Sequence, residues 1–267
     1  MSLVGAGTGA ADLLTIRAAH RLAAADLVLH DGLVTLDVLS LAPDAELVRV
    51  SRRPGDKVIM QDQVTALMIE AARSGRRVVR LKAGDPFVLG RGGEEALALV
   101  EAGVAFDIVP GLTAAVVAPA AAGIPVTHRG VASGFVVVSG HAEEAYAPIL
   151  EHLPPHVATI VVLMGFAARI RVAEFLMARD WPPHTPVAIV TNASQPAERI
   201  WSGTLDIIGE ALPEARTEDA HTLVIGDVVA VGAAIAAGLS EPLEGRSSHG
   251  NQRGSQDLRA RAAVVCA

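Results

Sequence analysis

Val78-Val79-Arg80-Leu81-Lys82-Ala83-Gly84-Asp85-Pro86-Phe87-Val88-Leu89-Gly90-Arg91-Gly92-Gly93-Glu94-Glu95-Ala96 decides how the rest of the chain is read. The β-branched and aliphatic run Val78, Val79, Leu81, with basic residues between, reads as a buried strand that stops sharply at Ala83-Gly84-Asp85-Pro86. Gly90-Arg91-Gly92-Gly93 is a second turn. Glu94-Glu95 then opens a helix, its acids lying where the positive end of the helix dipole favours them. Locally this is an ordinary connection with turn glycines. Taken with the runs before and after it, it reads as a ligand loop.

Working outward, the chain alternates apolar runs with helical patterns, which predicts an α/β protein. Leu3-Val4 enters the turn Gly5-Ala6-Gly7-Thr8-Gly9, followed by an alanine-rich helix to about Ala24. The turn falls short of a dinucleotide fingerprint, because Ala10 occupies the third glycine position. Its glycines suit either close approach of a ligand to the backbone or a tight turn. Leu27-Val28-Leu29-His30 is a strand ending at Asp31, which is either a working carboxylate beyond a strand end or a turn and capping residue. Leu47–Val50 is a third strand, running into Ser51-Arg52-Arg53-Pro54-Gly55-Asp56-Lys57. That cluster is either a solvated loop or a grip for a polycarboxylate. Gln61–Ser74 has the apolar spacing of a helix, Phe106–Val109 reads as a further strand, and Pro110-Gly111-Leu112-Thr113-Ala114-Ala115 leads into a small-residue helix.

The character changes near Thr127-His128-Arg129-Gly130, and a boundary is expected there: residues 1–128 as one α/β domain, 129–240 as a second, and 241–267 as a flexible tail rich in Gly, Ser, Arg and Gln. The second domain is expected to hold strands at Phe135–Val138, Thr159–Leu163, Val187–Val190 and Thr222–Ile225, with another at Ile200–Leu205. Helices are expected at Arg169–Arg179 and Thr204–Leu212.

Composition narrows the function classes. The chain has 267 residues, 51% of them hydrophobic, enough for a sizeable core. The net charge of −7 and 3% aromatic content argue against nucleic-acid binding. Pro110, Gly111, Pro119, Gly123 and Pro125 interrupt the longest uncharged stretch, so a membrane span is not expected. No basic segment followed by an apolar core opens the chain, so a cytoplasmic setting is expected. The single cysteine, Cys266, excludes an internal disulfide framework and a cysteine-based zinc site, and no metal is expected.

Together the glycine turn, Asp31-Gly32-Leu33-Val34, the central stretch from Leu81 to Glu95, Pro110–Ala115 and Ala122-Gly123-Ile124-Pro125-Val126-Thr127-His128-Arg129 resemble the successive signatures of the tetrapyrrole methyltransferase family, in its uroporphyrinogen-III C-methyltransferase branch. The resemblance runs from about Val4 to Val231 and includes Gly140-His141 and Leu163-Met164-Gly165. It implies two α/β domains with S-adenosylmethionine in the cleft between them, a homodimer, and methylation of uroporphyrinogen III at carbons 2 and 7 to give precorrin-2. It also implies that Thr8, Ala83, Gly84, Asp85, Val88, Thr113, Ala114, Met164 and Ala193 surround the donor. Asp31 falls on the proton acceptor, and Arg52 on the proton donor, usually a lysine. Arg53, Lys57, Arg91 and Arg129 are candidates for the substrate carboxylates, which forked guanidinium groups suit. Thr8 replaces a usual proline, and Ala83 the first glycine of a usual Gly-Gly-Asp-Pro. A later precorrin as substrate and a non-catalytic binder of donor or tetrapyrrole are the alternatives.

Overall fold

The computed structural model describes residues 1–50, 61–212, 214, 216 and 219–240. Its first sheet contains β1 (Ser2–Gly5), β2 (Leu27–His30), β3 (Glu46–Arg49), β4 (Val78–Lys82) and β5 (Asp107–Val109) in the order β3-β2-β4-β1-β5, every pair parallel. Parallel strands need crossovers, and the helices α1 (Ile16–Ala23), α2 (Leu36–Leu39), α3 (Gln61–Arg73) and α4 (Gly92–Glu101) supply them. Side chains alternate between two cores. Val4, Val28, Val79 and Leu81 pack with Ala18 and Leu22 of α1, while Leu3, Leu27, Leu29 and Val78 pack with Val64 and Met68 of α3 and Leu99 of α4. Burial on both faces is why these strands read as nearly continuous apolar runs.

A short helix, α5 (Ala114–Ala121), follows β5, so the uncharged stretch is a strand end, a helix and loops. Among the described residues no helix is long and apolar enough to cross a membrane.

The second sheet contains β6 (Phe135–Ser139), β7 (Thr159–Leu163), β8 (Pro186–Thr191), β9 (Arg199–Thr204) and β10 (His221–Ile225), ordered β6-β7-β10-β8-β9. The pair β6 and β7 is parallel and the other three pairs are antiparallel. Helices α6 (Glu143–Leu150) and α7 (Arg169–Met177) cover one face with Tyr146, Leu150 and Leu176, and Trp181 is buried in the same core. Helix α8 (Val228–Ser240) covers the other face through Val228, Val229 and Val231.

The described residues pack as two compact units, one drawn from Met1–Val117, Asn192–Ala197 and Arg216–Ala220, the other from Ala118–Thr191, Glu198–Ala215 and residues 221–240. His128, where the sequence suggests a boundary, falls in the second unit. The helix expected over Thr204–Leu212 does not form. Thr204 ends β9 opposite Pro186, the Leu205 and Asp206 amides donate to the Thr185 and Pro183 carbonyls, and only a 3-10 turn at Ile208–Glu210 remains. Pairing of the chain with β8 through Thr204, continued by these two amide bonds, holds the start of the segment extended along the neighbouring loop.

Candidate active site

Strand register brings the candidate residues to one edge of the first sheet. Gly5 of β1 lies opposite Lys82 of β4, His30 of β2 opposite Leu81, and Val4 of β1 opposite Val109 of β5. Ala6, Asp31, Ala83 and Pro110 therefore leave the sheet side by side, at the carboxyl ends where open parallel sheets bind ligands.

The loops after β1, β4 and β5 interlock through glycine backbones. Gly84 and Gly7 exchange amide-to-carbonyl bonds of 2.8 and 3.1 Å, and the Ala6 amide donates to the Lys82 carbonyl at 2.7 Å. A Cβ placed on Gly111 would stand 2.2 Å from the Gly84 carbonyl oxygen and 2.6 Å from Gly5 Cα, so only glycine allows this crossing. Gly84 itself adopts φ +68°, and a Cβ placed on it would meet nothing nearer than Thr113 Cα and Ala114 N, at 3.8 and 4.0 Å. Ala83 is not among the residues of positive φ, so alanine in place of the usual glycine imposes no left-handed strain.

Asp85 holds this arrangement with both oxygens. Oδ1 accepts from the Phe87 amide at 2.8 Å, and Oδ2 from the Gly111 amide at 3.1 Å, tying the loop after β4 to the loop after β5. The Val88 amide donates to the Asp85 carbonyl at 3.4 Å. Thr113 starts α5, its Oγ1 accepting from the Ala115 amide at 3.3 Å. Ala83, Gly84, Asp85, Val88, Thr113 and Ala114 thus gather around one crossing. Its half-buried loops and glycine flank fit a donor such as S-adenosylmethionine, which requires close approach of the backbone.

At the first loop, Thr8 Oγ1 lies 2.6 Å from Ser194 Oγ, and Gln195 Nε2 donates to the Thr8 carbonyl at 2.8 Å. Proline at this position would lack that hydroxyl. Ala193, beside Ser194, is buried between two residues of positive φ, Asn192 and Ser194. Asn192 is fixed by Asp219 and by the Ala220 amide.

A cluster of charges beneath Asp31 was not among the sequence expectations. Arg80 and Lys82, on the same face of β4 as Val78, have side chains only 4% and 3% exposed. Arg80 Nη2 donates to Asp31 Oδ1 at 2.6 Å and Nε to Glu95 Oε1 at 3.0 Å, while Nη1 donates to the Leu29 and Leu81 carbonyls at 3.3 and 3.2 Å. Glu95 is fully buried, pairs with Lys82 Nζ at 3.0 Å through Oε2, and accepts from Gln61 Nε2 at 2.8 Å through Oε1. Burial opposes the Arg80 charge, but Asp31 and Glu95 outweigh it and raise its pKa. Burial, then repulsion from Arg80, lowers the pKa of Lys82. The sequence does carry one signal of this cluster: basic residues inside a strand covered on both faces require buried acids, and Glu95 follows in the next helix.

The remaining candidates are dispersed. Arg91 adopts φ 57° before α4 and pairs with Glu94 at 2.6 Å on the surface, a contact too exposed to contribute much and readily exchanged for another carboxylate. Arg129 is exposed in the turn after His128. Met164 follows β7 in the second unit, exposed and at φ 56°. Arg52, Arg53 and Lys57 lie outside the described residues.

The profile of the family described as Tetrapyrrole (Corrin/Porphyrin) Methylases matches residues 1–208. The chain is 40% identical over 235 residues to the uroporphyrinogen-III C-methyltransferase of Methanocaldococcus jannaschii, covering 86% of this chain and 96% of that protein. It is 42% identical over 230 residues to the siroheme synthase of Gluconobacter oxydans, covering 85% of this chain and 49% of that protein, so it spans about half the length of that longer relative. Among solved structures, uroporphyrin-III C-methyl transferase from Thermus thermophilus complexed with S-adenyl homocysteine superposes with a TM-score of 0.73 at 39% identity, covering 86% of this chain and 98% of that one. A fold and sequence match on this scale identifies the chain as a member of the tetrapyrrole methylase family.

Proposed function

We propose that this protein transfers methyl groups from S-adenosylmethionine to carbons 2 and 7 of uroporphyrinogen III, giving precorrin-2. The observation that supports this reading is the gathering of Ala83-Gly84-Asp85, Thr113-Ala114 and Asp31 at one sheet edge, in a chain 40% identical to a protein bearing that activity as its name. A homodimer in a cytoplasmic setting belongs to the same reading; light scattering at a single chain's mass would remove the homodimer.

When bound, S-adenosylmethionine supplies an electrophilic methyl group on a sulfonium, so the protein's part is mainly to place a carbon nucleophile in line. In this reading Gly84, Val88, Thr113 and Ala114 present close-packed backbone to the donor, with Ala193, Thr8 and Met164 completing its surroundings. Asp85 spends both oxygens on loop amides, so it acts by fixing the loops. Arg52, Arg53, Lys57, Arg91 and Arg129 meet the substrate's acetate and propionate groups. Arg52 serves as a charged partner, because a guanidinium does not readily release its proton.

Methyl addition to a pyrrole carbon leaves a cation on the macrocycle, and a proton must depart to restore neutrality. Asp31 takes it. Its side chain is 20% exposed, and among the described residues it accepts from Arg80 Nη2 and the Ala83 amide, two bonds for a group with roughly four lone-pair positions. The test is anaerobic incubation with uroporphyrinogen III and S-adenosylmethionine, with added methyl groups counted by mass spectrometry and S-adenosylhomocysteine binding followed by calorimetry. Two methyl groups are expected. Binding with no transfer would contradict the reading and leave a non-catalytic binder or a later precorrin as substrate.

A further inference from the structure

We infer that Arg80, held from behind by Glu95, is a positioning residue that fixes the orientation of the Asp31 carboxylate for proton removal; this rests on the reading of Asp31 as proton acceptor. Arg80 has no rotational freedom to spare. Its Nε, Nη1 and Nη2 are all engaged, by Glu95, by two strand carbonyls and by Asp31. Its Nη2 points at Asp31 Oδ1, at 2.6 Å, while Nε and Nη1 are tied to Glu95 and to the Leu29 and Leu81 carbonyls. The other carboxylate oxygen, Oδ2, receives the Ala83 amide at 3.2 Å, and Ala83 begins the loop that continues through Gly84 and Asp85. The plane of the carboxylate is therefore set relative to the glycine crossing.

The charges form a balanced group: Arg80 and Lys82 on β4, Glu95 on α4 and Asp31 after β2. Buried ion pairs add little net stability, and well-packed apolar side chains often replace them without loss. Stability alone therefore gives a weak account of four charges collected directly beneath a sheet edge. Orientation gives a better one. A methylated macrocyclic cation is a strong acid, so its proton acceptor needs aim more than basicity. A forked, immobile guanidinium supplies aim, whereas the single ammonium of lysine would not span Asp31, Glu95 and two carbonyls together.

The test is a double-mutant cycle of Arg80→Lys and Asp31→Asn, assayed with uroporphyrinogen III and S-adenosylmethionine. S-Adenosylhomocysteine affinity by calorimetry and thermal unfolding are measured on the same proteins. Arg80→Lys is expected to lower kcat about tenfold or more, with KM and S-adenosylhomocysteine affinity within about twofold of the parent. In the Asp31→Asn background the same change is expected to have no further effect, because two residues acting as one unit are not additive. Should Arg80→Lys fail to fold, the pair Arg80→Met with Glu95→Gln, which removes one charge of each sign, takes its place in the cycle. A slow Asp31→Asn protein beside an Arg80 variant of parental kcat, or effects that multiply, would overturn the inference alone. Parental turnover in Asp31→Asn would instead remove Asp31 from the reaction, and the inference with it.

Discussion

Asp85 shows how far a residue's chemistry depends on what it faces. From the sequence, an acid between glycine and proline suits a donor-binding loop; the fold places its two oxygens on the amides of Phe87 and Gly111. Asp85→Ala removes both bonds, and at about 1 kcal/mol each a loss of about 2 kcal/mol is expected. S-Adenosylhomocysteine affinity should fall with it; unchanged affinity and unchanged melting would separate Asp85 from the donor loop. His30, buried next to Asp31, makes a pH prediction. Burial lowers its pKa below 6.5, opposed by the bond from Nδ1–H to the Asp31 carbonyl and by the Asp31 charge, while Arg49 and Arg80 lower it further. The unfolded chain then binds the proton more readily than the fold. This contribution to stability is complete above pH 6.5 and is lost as pH falls through the folded pKa. In His30→Gln the dependence of unfolding free energy on pH should be flatter below pH 6.5, and identical profiles would refute it. Arg80 and Glu95 are not legible as a pair in the sequence, because charge within a strand pattern looks the same whether paired or solvated.

At the level of elements, β1, β2 and β4 were legible because both their faces are buried, leaving mainly apolar runs. Helix α8 was not, because Val228-Val229-Ala230-Val231-Gly232-Ala233-Ala234 has no polar face to reveal a helical period. The Thr204–Leu212 pattern misled for the opposite reason: apolar spacing was present, but Thr204 belongs to β9 through its pairing with Pro186, and only a 3-10 turn at Ile208–Glu210 follows. The turns after β1, β4 and β5 were legible as glycine turns, whereas their mutual contact was not, since it joins residues far apart in the chain. Two alanine substitutions separate these effects. Gly111→Ala drives a Cβ into the Gly84 carbonyl and the Gly5 backbone, with a cost of about 1–3 kcal/mol or more and loss of donor affinity expected. Gly93→Ala, exposed in α4 with nothing within 4 Å of the new Cβ, should stabilise by about 0.5–1 kcal/mol in chemical denaturation. If Gly111→Ala is tolerated as well as Gly93→Ala, the three loops are not packed as described.

Across the whole molecule, the two α/β halves read from the sequence are built on an all-parallel sheet and a mixed sheet of five strands each. The acid excess of the chain, −7, coexists with the basic run at Arg49, Arg52, Arg53 and Lys57, which suits recognition of an anionic small molecule better than a polyanionic polymer. Capture of an anionic substrate by such a run is expected to weaken as salt rises, because charges in water are screened over about 10 Å at 0.1 M. The most direct measurement is the position of the transferred carbon. Purified protein is incubated anaerobically with uroporphyrinogen III and S-adenosylmethionine labelled with carbon-13 in its methyl group, and the product is read by NMR. Label on carbons 2 and 7, and on no others, is the predicted result; label elsewhere on the macrocycle, or none, would contradict the account.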